Sequence, residues 1–333
     1  MKNIKIIAEI GVNHNGLLKN AKKLINLAKK EGATFVKFQM FNTESHILKS
    51  AKLAQYQSKN LSLKISQFDM AKKYEFNSND FKKLCNYCKK VNIKFLASVF
   101  DLKSLKNYLQ LNPKFIKIPS GEITNFELLD EISNYKFKVY LSTGMSNLNE
   151  IKNAINLLKS KNKIHDITVM QCTSDYPSKL SNSNLLTIPT LKNFFSCSVG
   201  YSDHTLGVET SMMAITLGAE ILEKHITLNK KHKGPDHLAS CDPKEFKFYM
   251  KKMKQTSKIL GSNKKKLIDA EKKTILLVRK SLIASKRIKK NEIFSKSNLT
   301  TKRPGDGICA SNYLKFLGKK SKYDYEENEK IKI

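Results

Sequence analysis

Residues 4–39 read IKIIAEIGVNHNGLLKNAKKLINLAKKEGATFVKFQ, and this stretch decides the fold. IKIIAE (4–9) is a short run of apolar and β-branched residues interrupted by one acid, and TFVKFQ (34–39) is a second such run. Between them LKNAKKLINLAKKEG sets its apolar residues at helical spacing, with Lys and Asn on the other face. Strand, helix, strand is a crossover unit, and it implies a parallel sheet. The turn after the first strand, GVNHNG (11–16), lacks the glycine spacing of a dinucleotide-binding loop, which counts against an open doubly wound sheet.

The unit recurs along the chain. KFLASV (94–99), FIKIPS (115–120), KVYLST (138–143), ITVMQC (167–172), SCSVGYS (196–202) and AEILEKH (219–225) read as six more strands, each followed by an amphipathic stretch. Eight such units are the count of a (β/α)8 TIM barrel. The one long excursion is 40–77, after the second strand. GSNKKKLIDAEKK (261–273) then breaks the pattern. Beyond it come short strand-like runs and a Pro-Gly-Asp-Gly turn, with no long amphipathic helix. The predicted organisation is a barrel over 1–262, a Lys-rich linker over 263–274 and a small β domain over 275–333.

Composition removes several classes. The chain has 333 residues, 40% of them apolar, which supports a large core and excludes a disordered chain. No run reaches the roughly 18 uncharged apolar residues that span a bilayer, and the N-terminus reads as a strand, so neither membrane nor secretion is expected. Six scattered cysteines point to reduced thiols and a cytoplasmic setting. Cys85–x–x–Cys88 lies within a helical pattern and reads as core packing. The net charge is +32, carried by 58 Lys and only three Arg. Spread along polar helix faces with few guanidinium groups, it reads as a solvated surface without a message, the alternative being a field that draws in small polyanions, and no specific nucleic-acid partner is expected.

Barrel active sites form at the C-terminal ends of the strands. Those ends carry Glu9, Lys37 with Gln39, Ser98, Lys117 with Ser120 and Glu122, Ser142, Gln171–Thr173, Ser202 to His204, and Glu223 to His225. Turn-making and helix capping account for some of these. They do not account for Lys37 and Lys117 within apolar runs, where an ammonium must be paired or must bind an anion. His204 and His225 end adjacent strands, an arrangement suited to a divalent metal with open positions.

The motifs AEIGVNHNG (8–16), VKFQ (36–39), KIPSGE (117–122), LSTGM (141–145), QCTSDYP (171–177), GYSDHT (200–205), EKHITL (223–228), GPDHLAS (234–240) and TKRPGDGI (301–308) occur in order. Together they closely resemble the bacterial sialic acid synthase family, which includes the legionaminic and pseudaminic acid synthases. The resemblance covers nearly the whole chain, including a C-terminal antifreeze-like (SAF, β-clip) domain. It implies condensation of phosphoenolpyruvate with an open-chain N-acetylated amino sugar, giving a nine-carbon 2-keto acid and phosphate.

On that resemblance Lys37, Lys117, Ser120, Ser142, Ser174 and Ser202 hold phosphoenolpyruvate, although many family members carry Asn where Ser174 stands. His204 and His225 hold Mn2+, or Mg2+ or Co2+, as a Lewis acid on the sugar aldehyde. Glu122 is the expected general base for water, while Glu9 and Asp236 orient the sugar and metal-bound water. Gln39 and Tyr176 line the sugar site. His14 shapes the first turn or touches substrate, whereas His46, His165, His232 and His237 receive no role. The family also implies a domain-swapped homodimer in which Arg303 completes the partner's site; the alternative is an ion pair with Glu326 in its own domain. AQYQSKN (54–60) and GPDHLAS favour N-acetylmannosamine over a diacetamido-trideoxy hexose. A catalytically dead, polyanion-binding barrel is the remote alternative.

Overall fold

The computed structural model describes residues 4–54, 57, 58 and 65–333. The chain divides into two compact units, Met1–Gly261 and Ser262–Ile333. In the first, eight parallel strands close into a barrel in chain order. They are β1 (Lys5–Gly11), β2 (Phe35–Met40), β3 (Lys94–Val99), β4 (Phe115–Ile118), β5 (Lys138–Ser142), β6 (Asp166–Cys172), β7 (Ser198–Asp203) and β8 (Ile221–His225). The helices between and after them are α1 (Leu18–Glu31), α2 (Thr43–His46), α3 (Gln67–Tyr74), α4 (Ser78–Lys90), α5 (Leu102–Leu109), α6 (Phe126–Ser133), α7 (Leu148–Lys159), α8 (Thr187–Phe195), α9 (Glu209–Thr216) and α10 (Pro243–Leu260).

Local chemistry starts and stops these helices. Asn147 and Glu150 form a reciprocal capping box on α7, and Asp242 with Glu245 does the same on α10, where Pro243 fills the first turn. Gly32 ends α1 in the left-handed conformation, at φ 87°. Cys85 and Cys88 are buried on α4, and all six cysteines are free thiols. Among the described residues no helix is long and apolar enough to cross a membrane.

The barrel interior is layered, and the layering places the site. Ile7, Phe35, Leu96, Tyr140, Met170 and Ile221, with Phe115 against them, form one buried plug. Side chains alternate along a strand, so the next inward residue lies two positions on. Those residues are Glu9, Lys37, Ser98, Lys117, Ser142, Cys172 and Glu223, and all of them line the cavity above the plug.

The excursion after β2 forms α2 and α3. Ser66 caps α3 by accepting from the Asp69 amide, and α3 buries Met70, Ala71 and Tyr74. Glu75 accepts from the Thr43 hydroxyl at 2.8 Å and from the Asn42 side chain at 3.0 Å, tying the two helices together.

The second unit has its own core of Leu282, Ala284, Ile288, Phe294, Leu299, Tyr325 and Ile331. It begins with α11 (Asp269–Val278), followed by the antiparallel pair β9 (Ser281–Ala284) and β10 (Leu299–Lys302). The expected linker, 263–274, is therefore helical from Asp269, because the Glu271 carboxylate turns back onto the Ile268 amide and starts a helix. Arg303 donates from Nε to the Val278 carbonyl at 3.0 Å. The acid named as its alternative partner, Glu326, instead pairs with Arg287 at 3.2 Å.

Candidate active site

A single cavity of about 510 Å3 is lined by Glu9, Lys37, Gln39, Lys117, Ser120, Glu122, Ser142, Ser174, Tyr176, Ser202, His204, His225 and Asp236. Every barrel residue given a catalytic, ligand-binding or metal-binding part from sequence thus lines this one cavity, whereas Gln171, Thr173, Asp203 and Lys224 do not. Arg303 lies in the second unit.

The charged centre contains a residue to which sequence reading assigned no part. Oε1 of Glu223 is 3.0 Å from Lys37 Nζ and 3.2 Å from Lys117 Nζ, and the Ser202 hydroxyl donates to it at 3.0 Å. Lys37 also lies 3.4 Å from Glu9 Oε1 and donates to the Ser98 hydroxyl at 3.1 Å. The signal for Glu223 was available: in Glu223-Lys224-His225 the first and third residues must share the inward face.

The two lysines divide unequally. Burial works against both ammonium groups, but Lys37 faces two carboxylates and its pKa is raised. Lys117 has Glu223 as its main support and is repelled by Lys37, so its pKa is lowered. Glu223 is buried yet held well below the ordinary carboxylate range by the two ammonium groups. Burial pushes Glu9 up to about 7, with Lys37 opposing. With Glu9 protonated, two lysines face one carboxylate, and the surplus positive charge suits an anion.

Beside this centre is a cradle of hydroxyls. The Gly144 amide donates to Ser120 Oγ at 2.9 Å. A Cβ on Gly144 would lie 2.4 Å from Ser174 Oγ and 2.9 Å from Ser120 Oγ, so the close approach of the two serines requires glycine. The Ser142 hydroxyl is buried without a hydrogen-bond partner, as is Oε2 of Glu223. The free Ser142 hydroxyl, beside two cations, can donate to an incoming oxyanion, whereas the Glu223 oxygen can only accept.

The imidazoles lie on the other side. Register places Glu9 opposite both Lys37 on β2 and His225 on β8. The ring centroids of His204 and His225 are 5.4 Å apart, and Tyr176 packs at a tilt against His204, 4.0 Å between centroids. His204 Nδ1 lies 2.7 Å from the Thr173 carbonyl. A carbonyl only accepts, so Nδ1 carries a proton, and in the neutral ring Nε2 keeps its lone pair for a ligand. His225 Nδ1 is buried without a partner, and its surroundings hold the ring neutral, with burial the main cause. Both observations fit a divalent ion. Among the described residues no group of three or more His, Cys, Asp or Glu could hold a metal, so two imidazoles would leave positions open to water and substrate.

Behind the two histidines, outside the barrel, Lys224 Nζ lies 3.0 Å from Asp203 Oδ2, both fully buried. Asp203 also accepts from Ser211 at 2.6 Å and from Thr205, which holds the ends of β7 and β8 in register. Glu122 accepts from the Asn125 amide group at 2.7 Å, and burial raises its pKa. Burial also raises Asp236, to about 6.

The remaining histidines divide cleanly. His14 is buried away from the cavity, stacks on Phe76 at 4.0 Å and accepts from the Gly16 amide, so it shapes the first turn. His237 joins Thr227 at 2.7 Å to Asn15 at 2.9 Å, tying the loops after β8 and β1. His46, given no role from sequence, lines the cavity beside Phe100.

Comparison with known proteins agrees with this architecture. The NeuB family model matches residues 24–265 and the SAF domain model residues 279–332. N,N'-diacetyllegionaminic acid synthase of Campylobacter jejuni is 48% identical over 333 residues, covering all of both chains. The protein of the same name from Legionella pneumophila is 39% identical over 316 residues, covering 94% of this chain and 89% of its own. The crystal structure of N-acetylneuraminic acid synthetase from Leptospira borgpetersenii, in complex with citrate, superposes with a TM-score of 0.72 at 31% identity, over 82% of this chain and 90% of that one. A barrel closed in chain order, polar residues at its strand tips and these matches lead to one conclusion: the chain belongs to the NeuB family and carries a SAF domain after its barrel.

Proposed function

We propose that this chain condenses phosphoenolpyruvate with the open aldehyde form of a 2,4-diacetamido-2,4,6-trideoxy hexose, giving a nine-carbon 2-keto acid of the legionaminic type and phosphate. The observation that carries the phosphoenolpyruvate half is the pair of buried lysines on one carboxylate oxygen, next to the Ser120–Ser142–Ser174 hydroxyls. N-acetylmannosamine, favoured from sequence, gives way as acceptor because full-length relatives at 48% and 39% identity carry the legionaminic name. Gln55, Tyr56, Lys59 and Asn60 of AQYQSKN, the motif that favoured it, lie outside the described residues.

In this reading Lys37 and Lys117 hold the carboxylate and phosphate. The electron pair of the enolpyruvate double bond joins C3 to the aldehyde carbon, the carbonyl π pair moves to the aldehyde oxygen, and that oxygen takes a proton from water. Glu122, as a carboxylate, stabilises the positive charge left at C2, while Glu9 helps to orient the sugar. Water adds at C2, giving one proton to Glu122; the C2–O bond to phosphate then breaks as the C2 carbonyl forms, and the hydroxyl proton leaves with the phosphate. Asp236, Gln39 and Tyr176 orient the sugar. A divalent ion on His204 and His225, Mn2+ by preference with Mg2+ or Co2+ as substitutes, would polarise the aldehyde. Further, we propose a homodimer in which Arg303 serves the partner's barrel.

Phosphate release from phosphoenolpyruvate with Mn2+ and each candidate sugar is the test. The diacetamido sugar should give phosphate, exhaustive chelation should stop release, and Mn2+ should restore it. Failure of every candidate sugar to give phosphate would favour the non-catalytic, anion-binding barrel. For the dimer, subunits carrying His204→Ala should regain activity when co-refolded with subunits carrying Arg303→Ala. Dead mixtures that contain mixed dimers would reject the exchange.

A further inference from the structure

The cavity has a second wall, and the reaction chemistry makes no use of it. The long excursion after β2 builds it together with the first residues beyond three strand ends. Val12, Met70 and Tyr74 form one buried apolar cluster. Phe41, Ile47 and Phe100 line the same cavity, and the two phenyl rings meet edge to face at 6.2 Å. None of the six belongs to the charged centre, which is made by inward residues of the strands.

We propose that this wall selects the acceptor sugar, receiving the C6 methyl and C4 acetamido groups of a deoxygenated, doubly acylated hexose. The inference rests on the synthase reading above and assigns its specificity to named residues. A methyl group or acetamido methyl set against Val12, Met70 and Phe41 leaves water for hydrocarbon. A hydroxyl at either position would be stripped of water with hydrocarbon in its place, which is unfavourable. The acetamido amide still needs a polar partner, and the Gln67 carboxamide lines the same cavity at the start of α3. N-acetylmannosamine carries hydroxyls at both positions, so an apolar wall discriminates against it while leaving the aldehyde end common to the two sugars.

Two variants test the wall. Met70→Gln keeps the length of the side chain and adds an amide, and Ile47→Thr changes a half-buried residue at the end of α2. The measured quantity is the ratio of kcat/KM for the diacetamido-trideoxy hexose to that for N-acetylmannosamine, at saturating phosphoenolpyruvate. The wild-type ratio should be roughly 10 to 100, the range in which an apolar pocket discriminates small polar differences. Each variant should lower it by about tenfold, with the KM for phosphoenolpyruvate nearly unchanged. If Met70→Gln fails to fold, Ile47→Thr decides. A ratio that the variants leave unmoved, or a wild-type enzyme that prefers N-acetylmannosamine, would overturn the wall and leave the synthase chemistry standing. If neither sugar supports phosphate release, the synthase reading beneath it falls as well.

Discussion

The Lys37 ammonium lies 3.0 Å from Oε1 of Glu223, an oxygen it shares with Lys117. Two cations on one anion, all buried, make a centre that is held together when empty and still short of negative charge. An incoming anion competes with Glu223 for the ammonium protons, so this carboxylate stabilises the free fold and weakens anion binding.

Glu223→Gln separates those two effects. Removing one partner of a buried pair should destabilise the fold by about 3–5 kcal/mol. Inorganic phosphate, measured by calorimetry in the absence of sugar, should bind roughly tenfold tighter to the variant, since the competing charge is gone. Weaker phosphate binding would show that Glu223 serves the anion in some other way.

The lysines should not be equivalent. Lys37→Ala and Lys117→Ala should each raise the KM for phosphoenolpyruvate far more than that for the sugar, by about 2–5 kcal/mol in apparent binding. Lys37→Ala leaves Glu223 paired with Lys117 but takes away the ammonium beside Glu9, whereas Lys117→Ala leaves both carboxylates beside Lys37. Denaturant melts should therefore rank Lys37→Ala as the less stable. Equal stabilities would count against the shared-oxygen arrangement.

Gly144→Ala tests the hydroxyl cradle. The new methyl would meet Ser174 Oγ at 2.4 Å and Ser120 Oγ at 2.9 Å, and both hydroxyls can rotate away. Stability should change by less than about 1 kcal/mol, because the obstruction is side-chain ends and not backbone. The KM for phosphoenolpyruvate should rise more than tenfold as the displaced hydroxyls lose the anion. An unchanged KM would place the phosphate elsewhere.

The raised carboxylates set the pH dependence of stability. Burial lifts Glu9 from 4.5 to about 7, so between those values the folded chain keeps a proton that the unfolded chain has released. For this group stability falls as pH climbs through that window and is level above it. Asp236, raised to about 6, acts in the same direction. Glu223, depressed, acts oppositely and withdraws its stabilisation only as pH drops below the ordinary carboxylate range. Between pH 4.5 and 7, Glu9→Gln should remove about 3 kcal/mol of pH-dependent loss. Urea melts in EDTA across that range check this, and parallel curves for the two proteins would contradict it.

The sequence by itself determined the barrel and most of its mouth. Strand and helix periods are local properties, and eight repeats of one crossover unit leave few ways to close a parallel sheet. Polar residues such as Glu9, Lys37, Lys117 and Ser142 stood at strand ends, two positions beyond apolar ones, and alternation alone put them above the plug. The tertiary structure decided what those residues meet. Glu223 is 106 positions from Lys117, and only closure of the barrel brings them to one oxygen. The division of Lys37 from Lys117 follows from that meeting, since it depends on how many carboxylates each ammonium faces. The wall of Val12, Phe41 and Met70 was equally hidden, because apolar residues in an irregular excursion have no period to show which way they point. Periodicity is written into consecutive residues, whereas pairing, burial and charge balance arise only when distant strands are brought side by side.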